Sequence, residues 1–189
     1  MRKVLFIFAD LNDSDMVWLA AIGERKTFRK GGVLVQEGKP IFEVYILLDG
    51  LLSVSVTTPK GILTINTLQK GEVIGELSFL DSRPPTATVM ASEDSIVLAI
   101  SRDKLAAKLA RDMGFAARFY RALGVFLAER LRNTTEWLGY GNSDSLRSKA
   151  SAPDEIQPDV LHSVAIAAKR FELLVERFKT VNASSRSEN

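Results

Sequence analysis

The sequence predicts a mainly β protein, an antiparallel jelly-roll-like β-barrel with an N-terminal helix and C-terminal helices, and three observations carry that prediction. Between Glu24 and Ile100, short runs rich in Val, Ile, Leu, Thr and Phe are separated by turns containing Gly or Pro. Several of these runs alternate apolar and polar residues, as in Leu52-Ser53-Val54-Ser55-Val56 and Leu63-Thr64-Ile65-Asn66. From Ser101 onward the apolar residues recur at helical spacing instead. A barrel of this kind closes its strand edges and leaves an internal or side pocket.

The elements follow in order. Residues 1–23 form an N-terminal helical segment: Asn12, Asp13, Ser14 and Asp15 can cap and charge a helix start, an apolar block follows, and Gly23 is a stop. Residues 24–101 form the β-barrel, with strands expected at 26–29, 33–36, 44–48, 51–58, 62–68, 86–91 and 95–100. Residues 102–138 form the C-terminal helices of the domain. Ser101 caps a short helix from Arg102 to Leu109, and Gly114 separates it from a longer one, Phe115 to Leu138. In the longer helix Phe115, Phe119, Ala122 and Phe126 form one stripe, which serves either as core or as a dimer interface.

Residues 139–158 are rich in Gly, Ser, Asn, Asp and Pro and have no apolar period, which is the pattern of a linker. An amphipathic helix follows over 159–182, with Leu161, Val164, Ala168, Phe171, Val175 and Phe178 at alternating spacings of three and four. That seam is too short for an independent coiled coil and is expected to pack on the body or on a partner. Residues 183–189 are expected to be a disordered tail.

Composition removes many chemistries. Of 189 residues 46% are hydrophobic and 25% charged, the balance of a soluble globular chain. There is no cysteine, hence no disulfide, zinc-thiolate site or cysteine nucleophile. The single histidine, His162, has no second ligand at metal-binding spacing and reads as a surface or docking residue. No catalytic constellation, metal site or cofactor is expected, and the protein is read as not an enzyme. The net charge is +2, split between 10 basic and 12 acidic side chains in residues 1–100 and 15 and 11 thereafter. That distribution is too diluted to mark a polyanion surface. Met1-Arg2-Lys3 and the apolar residues 4–9 imitate a signal start, but the run breaks at Asp10. Nothing approaches the ~18 apolar residues of a membrane span, so a cytoplasmic location is expected.

The stretch from Gly71 to Val89, GEVIGELSFLDSRPPTATV, implies a specific chemistry. Val73 and Ile74 end a strand, Gly75 lets a ligand approach the backbone, and Glu76-Leu77-Ser78-Phe79-Leu80 reads as one short helical turn. The start of that turn offers unpaired N–H groups to an anion. Pro84 and Pro85 stop the turn, and a strand resumes at Thr86.

From Phe8 to Leu109 the chain resembles the cyclic nucleotide-binding domain of the catabolite activator protein and of cyclic-nucleotide-dependent kinases and channels. The matching pieces are Lys30-Gly31-Gly32-Val33-Leu34, Glu37-Gly38, Val44-Tyr45-Ile46-Leu47-Leu48-Asp49-Gly50, Gly71-Glu72, Ile74-Gly75-Glu76-Leu77-Ser78-Phe79-Leu80, Ala87-Thr88-Val89 and Ile100-Ser101-Arg102. The resemblance implies that Gly75, Glu76, Leu77 and Ser78 belong to a phosphate-binding cassette, with Glu76 accepting from a ribose 2′-hydroxyl. Thr86, Ala87 and Thr88 would line the phosphate and base side. The implied ligand is cyclic AMP or cyclic GMP.

One departure from the family pattern matters. The pattern has an Arg after the first Pro, forking onto the phosphate oxygens, where this chain has Pro85; Arg83 lies two residues upstream. Loss of such a charge-assisted contact weakens binding by roughly thirty- to a hundredfold. The resemblance therefore implies a stand-alone regulatory module that binds cyclic AMP or cyclic GMP weakly or with altered specificity and transmits this through its C-terminal helices. The alternative is a degenerate module that no longer binds nucleotide and acts as a homodimeric interaction scaffold. A homodimer through Phe115 to Leu138 and a partner protein are expected in either case. About fifty residues follow Leu138, fewer than the roughly seventy of a helix-turn-helix domain in this family, so direct DNA binding is not expected.

Overall fold

In a computed structural model, residues 9–140 are described, together with 166, 168–173 and 175–176 of the C-terminal segment. Helix α1 spans Asp13–Ile22 and starts with a capping box: the Asn12 side chain accepts from the Asp15 N–H at 2.9 Å, and the Asp15 carboxylate accepts from the Asn12 N–H at 2.9 Å. Eight strands follow: β1 (Glu24–Phe28), β2 (Val33–Val35), β3 (Glu43–Asp49), β4 (Leu52–Thr58), β5 (Gly61–Leu68), β6 (Val73–Ile74), β7 (Thr88–Ala91) and β8 (Ser95–Ser101). The short helix α2 (Glu76–Asp81) sits between β6 and β7, and α3 (Arg102–Arg111) and α4 (Met113–Tyr140) follow β8.

The strands form two four-stranded sheets, ordered β1-β8-β3-β6 and β2-β7-β4-β5, and all their pairings are antiparallel. The jelly-roll expectation holds, but the expected closure into a barrel does not. The strands at two of the sheet edges are only three residues (β2) and two residues (β6) long, too short to carry a continuous ladder around the fold.

The inner strands of the first sheet, β3 and β8, are buried on both faces, which explains why they read as unbroken apolar runs rather than alternating ones. Tyr45 and Leu47 of β3, with Val97 and Ala99 of β8, meet Leu52, Val54, Val89 and Leu34 of the second sheet. The residues between them, Val44, Ile46, Leu98 and Ile100, face the opposite way into a second cluster with Leu19, Leu105, Phe115 and Phe126 of the helices. The second sheet covers only one face. On β5 every residue from Gly61 to Thr67 is exposed, including Ile62 at 80%.

Ser101 caps α3 as expected, its hydroxyl accepting from the Lys104 N–H. The break before α4 falls at Asp112, not at Gly114, which lies in the first turn of α4. Asp112 Oδ1 accepts from the Phe115 N–H at 2.9 Å, so an acidic cap starts the long helix where a Gly had been expected to interrupt it. The stripe on α4 is core: Phe115, Ala122 and Phe126 are buried, Phe119 packs partly buried against them, and Trp18 packs edge-on to Phe115 at 5.3 Å between centroids. Helix α4 continues past Leu138 into the stretch expected to be linker; residues 141–165, with His162, and 177–189 lie outside the described residues, as do residues 1–8.

The described part of the last helix docks on the body. Phe171 and Val175 are buried in the helical cluster, Lys70 Nζ lies 5.8 Å from the Phe171 ring centre, and Arg170 Nε meets Asp13 Oδ1 at 2.7 Å. Among the described residues no helix is long and apolar enough to cross a membrane.

Candidate functional site

The turn between β6 and α2 positions the candidate cassette. Gly75 has φ +86°, a left-handed conformation that L side chains rarely adopt. A Cβ there would lie 2.7 Å from Ile41 Cδ1 and 3.1 Å from the Glu43 carbonyl oxygen. Conformation and space therefore both demand glycine. The single helical turn that follows leaves its first N–H groups without intrahelical acceptors.

Arg102 holds this turn in place. Its Nη1 donates to the Ile41 carbonyl at 2.8 Å and its Nη2 to the Ser78 carbonyl at 2.7 Å, while its own N–H donates to the Phe42 carbonyl at 3.0 Å. The start of α3 is thereby tied to the β2–β3 loop and to α2. Phe79 extends the connection to α4 through an edge contact with Phe119 at 6.1 Å.

The predicted site residues divide between two sides of this turn. Leu77 is 52% exposed and Thr86 is exposed, whereas Ala87 packs partly against the cluster between the sheets. Glu76 and Ser78 are buried. Thr88 is half-buried, and its hydroxyl accepts from the Glu37 N–H at 3.1 Å. Pro85 accepts from the Gly38 N–H at 2.8 Å through its carbonyl and brings no positive charge to its position. Arg83 is exposed at a turn, its Nε 3.8 Å from Asp81 Oδ2.

Glu76 has the most constrained setting. Its residue is 3% exposed, and its carboxylate accepts from Arg130 Nη1 of α4. It borders a cavity of about 30 Å3 among Leu11, Val44, Val73, Phe119 and Leu123, on the helical side of the first sheet. Burial pushes the Glu76 carboxyl above the ordinary carboxylate range, against the pull of Arg130 and of the N–H groups of Glu76 and Gly75; Glu72 adds to the upward push.

Neither Arg102 nor Arg130 stands out as a site residue in the sequence. Arg130 did carry a signal, since it stands four residues beyond Phe126 and so continues the buried stripe with a charge, a position that needs a partner.

Comparison with known proteins adds four findings. Residues 25–112 match the family model for the cyclic nucleotide-binding domain. The chain is 27% identical over 143 residues, 74% of its length, to the anaerobic regulatory protein of Bacillus subtilis, and spans 60% of that protein's length. Among solved structures, the N-terminal domain of a transcriptional regulator from Streptomyces coelicolor A3(2) is 30% identical with a TM-score of 0.59, covering 72% of this chain and 94% of that one. A cyclic nucleotide-binding domain from Methylobacillus flagellatus shares the fold with a TM-score of 0.68 at 24% identity, covering 76% and 85%.

Proposed function

Because the chain belongs to the cyclic nucleotide-binding domain family, we propose that it is a regulatory module that takes cyclic AMP or cyclic GMP at its cassette and transmits occupancy through its C-terminal helices. The ligand would lie against Gly75, Glu76, Leu77 and Ser78 on one side and Thr86, Ala87 and Thr88 on the other. The observation that carries this reading is that the first residue of the cassette helix reaches α4 through Glu76 and Arg130. A ligand-binding turn joined by an ion pair to a long helix is a route by which binding changes what that helix does.

Affinity is expected to be weak or its specificity altered. With Pro85 at the usual Arg position and Arg83 at an exposed turn, the phosphate would rely on N–H groups. Calorimetry with cyclic AMP and cyclic GMP up to millimolar concentration tests the reading. Absence of heat and of a thermal shift with both nucleotides would refute it.

A second reading, an interaction scaffold that takes no nucleotide, is favoured by the internal engagement of Glu76 together with the missing arginine. In both readings α4 is the expected contact with a second copy or a partner protein. Its buried stripe is occupied by its own body, so such a contact would use the exposed Tyr120 and Leu131. Sedimentation over a range of concentrations tests this, and a monomer mass throughout would refute the homodimer.

A further inference from the structure

The loop between β2 and β3 touches both ends of the candidate ligand site. Gly38 donates its N–H to the Pro85 carbonyl at 2.8 Å, and Glu37 donates to the Thr88 hydroxyl at 3.1 Å, which extends the β2–β7 pairing beyond Val35 and Val89. Ile41 of the same loop abuts Gly75, where a Cβ would lie 2.7 Å from the Ile41 Cδ1. Lys39 stands between these two contacts, exposed, and lines one open cavity with Ile41 and Glu43. The carboxylates of its loop and of that cavity are engaged elsewhere. Glu43 holds Lys26 Nζ at 2.7 and 2.8 Å and accepts from the Tyr45 hydroxyl at 2.9 Å, while Glu37 Oε2 accepts from the Thr57 N–H at 2.9 Å. Lys39 has no ion-pair partner among the described residues.

We propose that Lys39 supplies the positive charge that Pro85 does not, its ammonium meeting the phosphate of a nucleotide held between the Gly75 turn and Thr86. This rests on the nucleotide-binding reading above and adds a cation to the N–H groups on which the phosphate would otherwise rely. The charge comes from the loop bonded to the Pro85 carbonyl rather than from residue 85 itself. Having no carboxylate to leave, Lys39 reaches a ligand without breaking an existing pair. An ammonium on a flexible stem acts on a phosphate oxygen as a point charge, whereas a guanidinium forks onto two. The contact is therefore weaker than one from an arginine at position 85 and is screened by salt. It also reads the phosphate and not the base, so it favours neither purine.

Calorimetry on the full chain with cyclic AMP and cyclic GMP tests this. Lys39→Met, at an exposed position on which the core does not depend, should weaken both nucleotides alike by about fivefold, as expected for one charged contact partly screened by water. Lys39→Arg should retain binding. Added salt should weaken binding by the parent more than by Lys39→Met. In a chain carrying Pro85→Arg, Lys39→Met should cost less than it does in the parent, because two cations then serve one phosphate. A Lys39→Met chain that binds as tightly as a binding parent, or that loses as much with Pro85→Arg as without it, overturns the role of Lys39 and leaves the nucleotide reading intact. Binding that appears only once Pro85→Arg is present also overturns that role, since Lys39 then fails to stand in. No binding by any of the chains overturns both.

Discussion

Arg118 of α4 forks onto Asp15 of α1, its Nε 2.7 Å from Oδ2 and its Nη2 2.9 Å from Oδ1, across 103 residues of chain. The same carboxylate caps its own helix through the Asn12 N–H. Burial alone would raise the Asp15 carboxyl, but the hydrogen bonds from Arg118 and Asn12 and the charge of Arg118 outweigh it and hold it below its ordinary value of 3.8. The folded state therefore binds this proton less readily than the unfolded state. Stability from the pair is present above pH 3.8 and is lost as the pH falls through the depressed folded value.

Replacing Asp15 by Asn should cost about 2 to 3 kcal/mol at pH 7, because Arg118 keeps partial solvent access when its partner is lost. The acid side of the stability curve should flatten in the same variant. Chemical denaturation between pH 2 and pH 7 measures both. An Asp15→Asn chain whose stability falls with acid as steeply as the parent's would contradict the assignment.

Glu76 predicts the opposite sign. Its carboxyl is raised above its ordinary value of 4.5 by burial, so the folded state holds this proton more tightly than the unfolded chain does. Its contribution is fully present below pH 4.5 and is lost as the pH climbs through the raised folded value. Glu76→Gln, which cannot ionise, should remove that loss. The variant's stability relative to the parent should therefore improve as the pH rises through this range, since the pull of Arg130 is already contained in the net upward shift. Paired denaturation curves from pH 4 to pH 8 report the difference.

Gly75→Ala should lower stability by about 2 kcal/mol or more, since a left-handed residue with a side chain costs ~1–2 kcal/mol and the new Cβ also presses on Ile41 and the Glu43 carbonyl. The melting temperature is the readout. A variant as stable as the parent would mean that the turn can adopt another conformation.

Phe171→Ala should cost about 3 to 4 kcal/mol, as expected for an aromatic ring buried to 5% exposure. Deleting residues 140–189 should likewise lower the melting temperature and expose apolar surface to a fluorescent dye. An unchanged transition in the deletion would show that the C-terminal helix contributes nothing to the body.

Much of the architecture was legible in order of residues. The β-runs between Gly and Pro turns, the Asn12 and Ser101 caps, and the helical stripe on α4 are local signals, set by backbone preference and by side-chain period, and they reappear as elements. The turn at Gly75 and the short helix after it were legible for the same reason, because a Gly followed by Glu76 and a short apolar run is a local pattern. Residue order could not show that the sheets stay open, which depends on how short β2 and β6 become once packed. Nor could it show that α4 starts from Asp112 rather than after Gly114, since either residue can end a helix and the packing of Phe115 decides. The partner of Glu76 lies 54 residues away, and no local preference couples the two. The sequence by itself determined a glycine-led helical turn with Glu76 at its head and Pro85 where the family pattern has an arginine. Only the tertiary structure decided that this carboxylate faces Arg130 of α4, because that pairing follows from how the long helix lies across the first sheet.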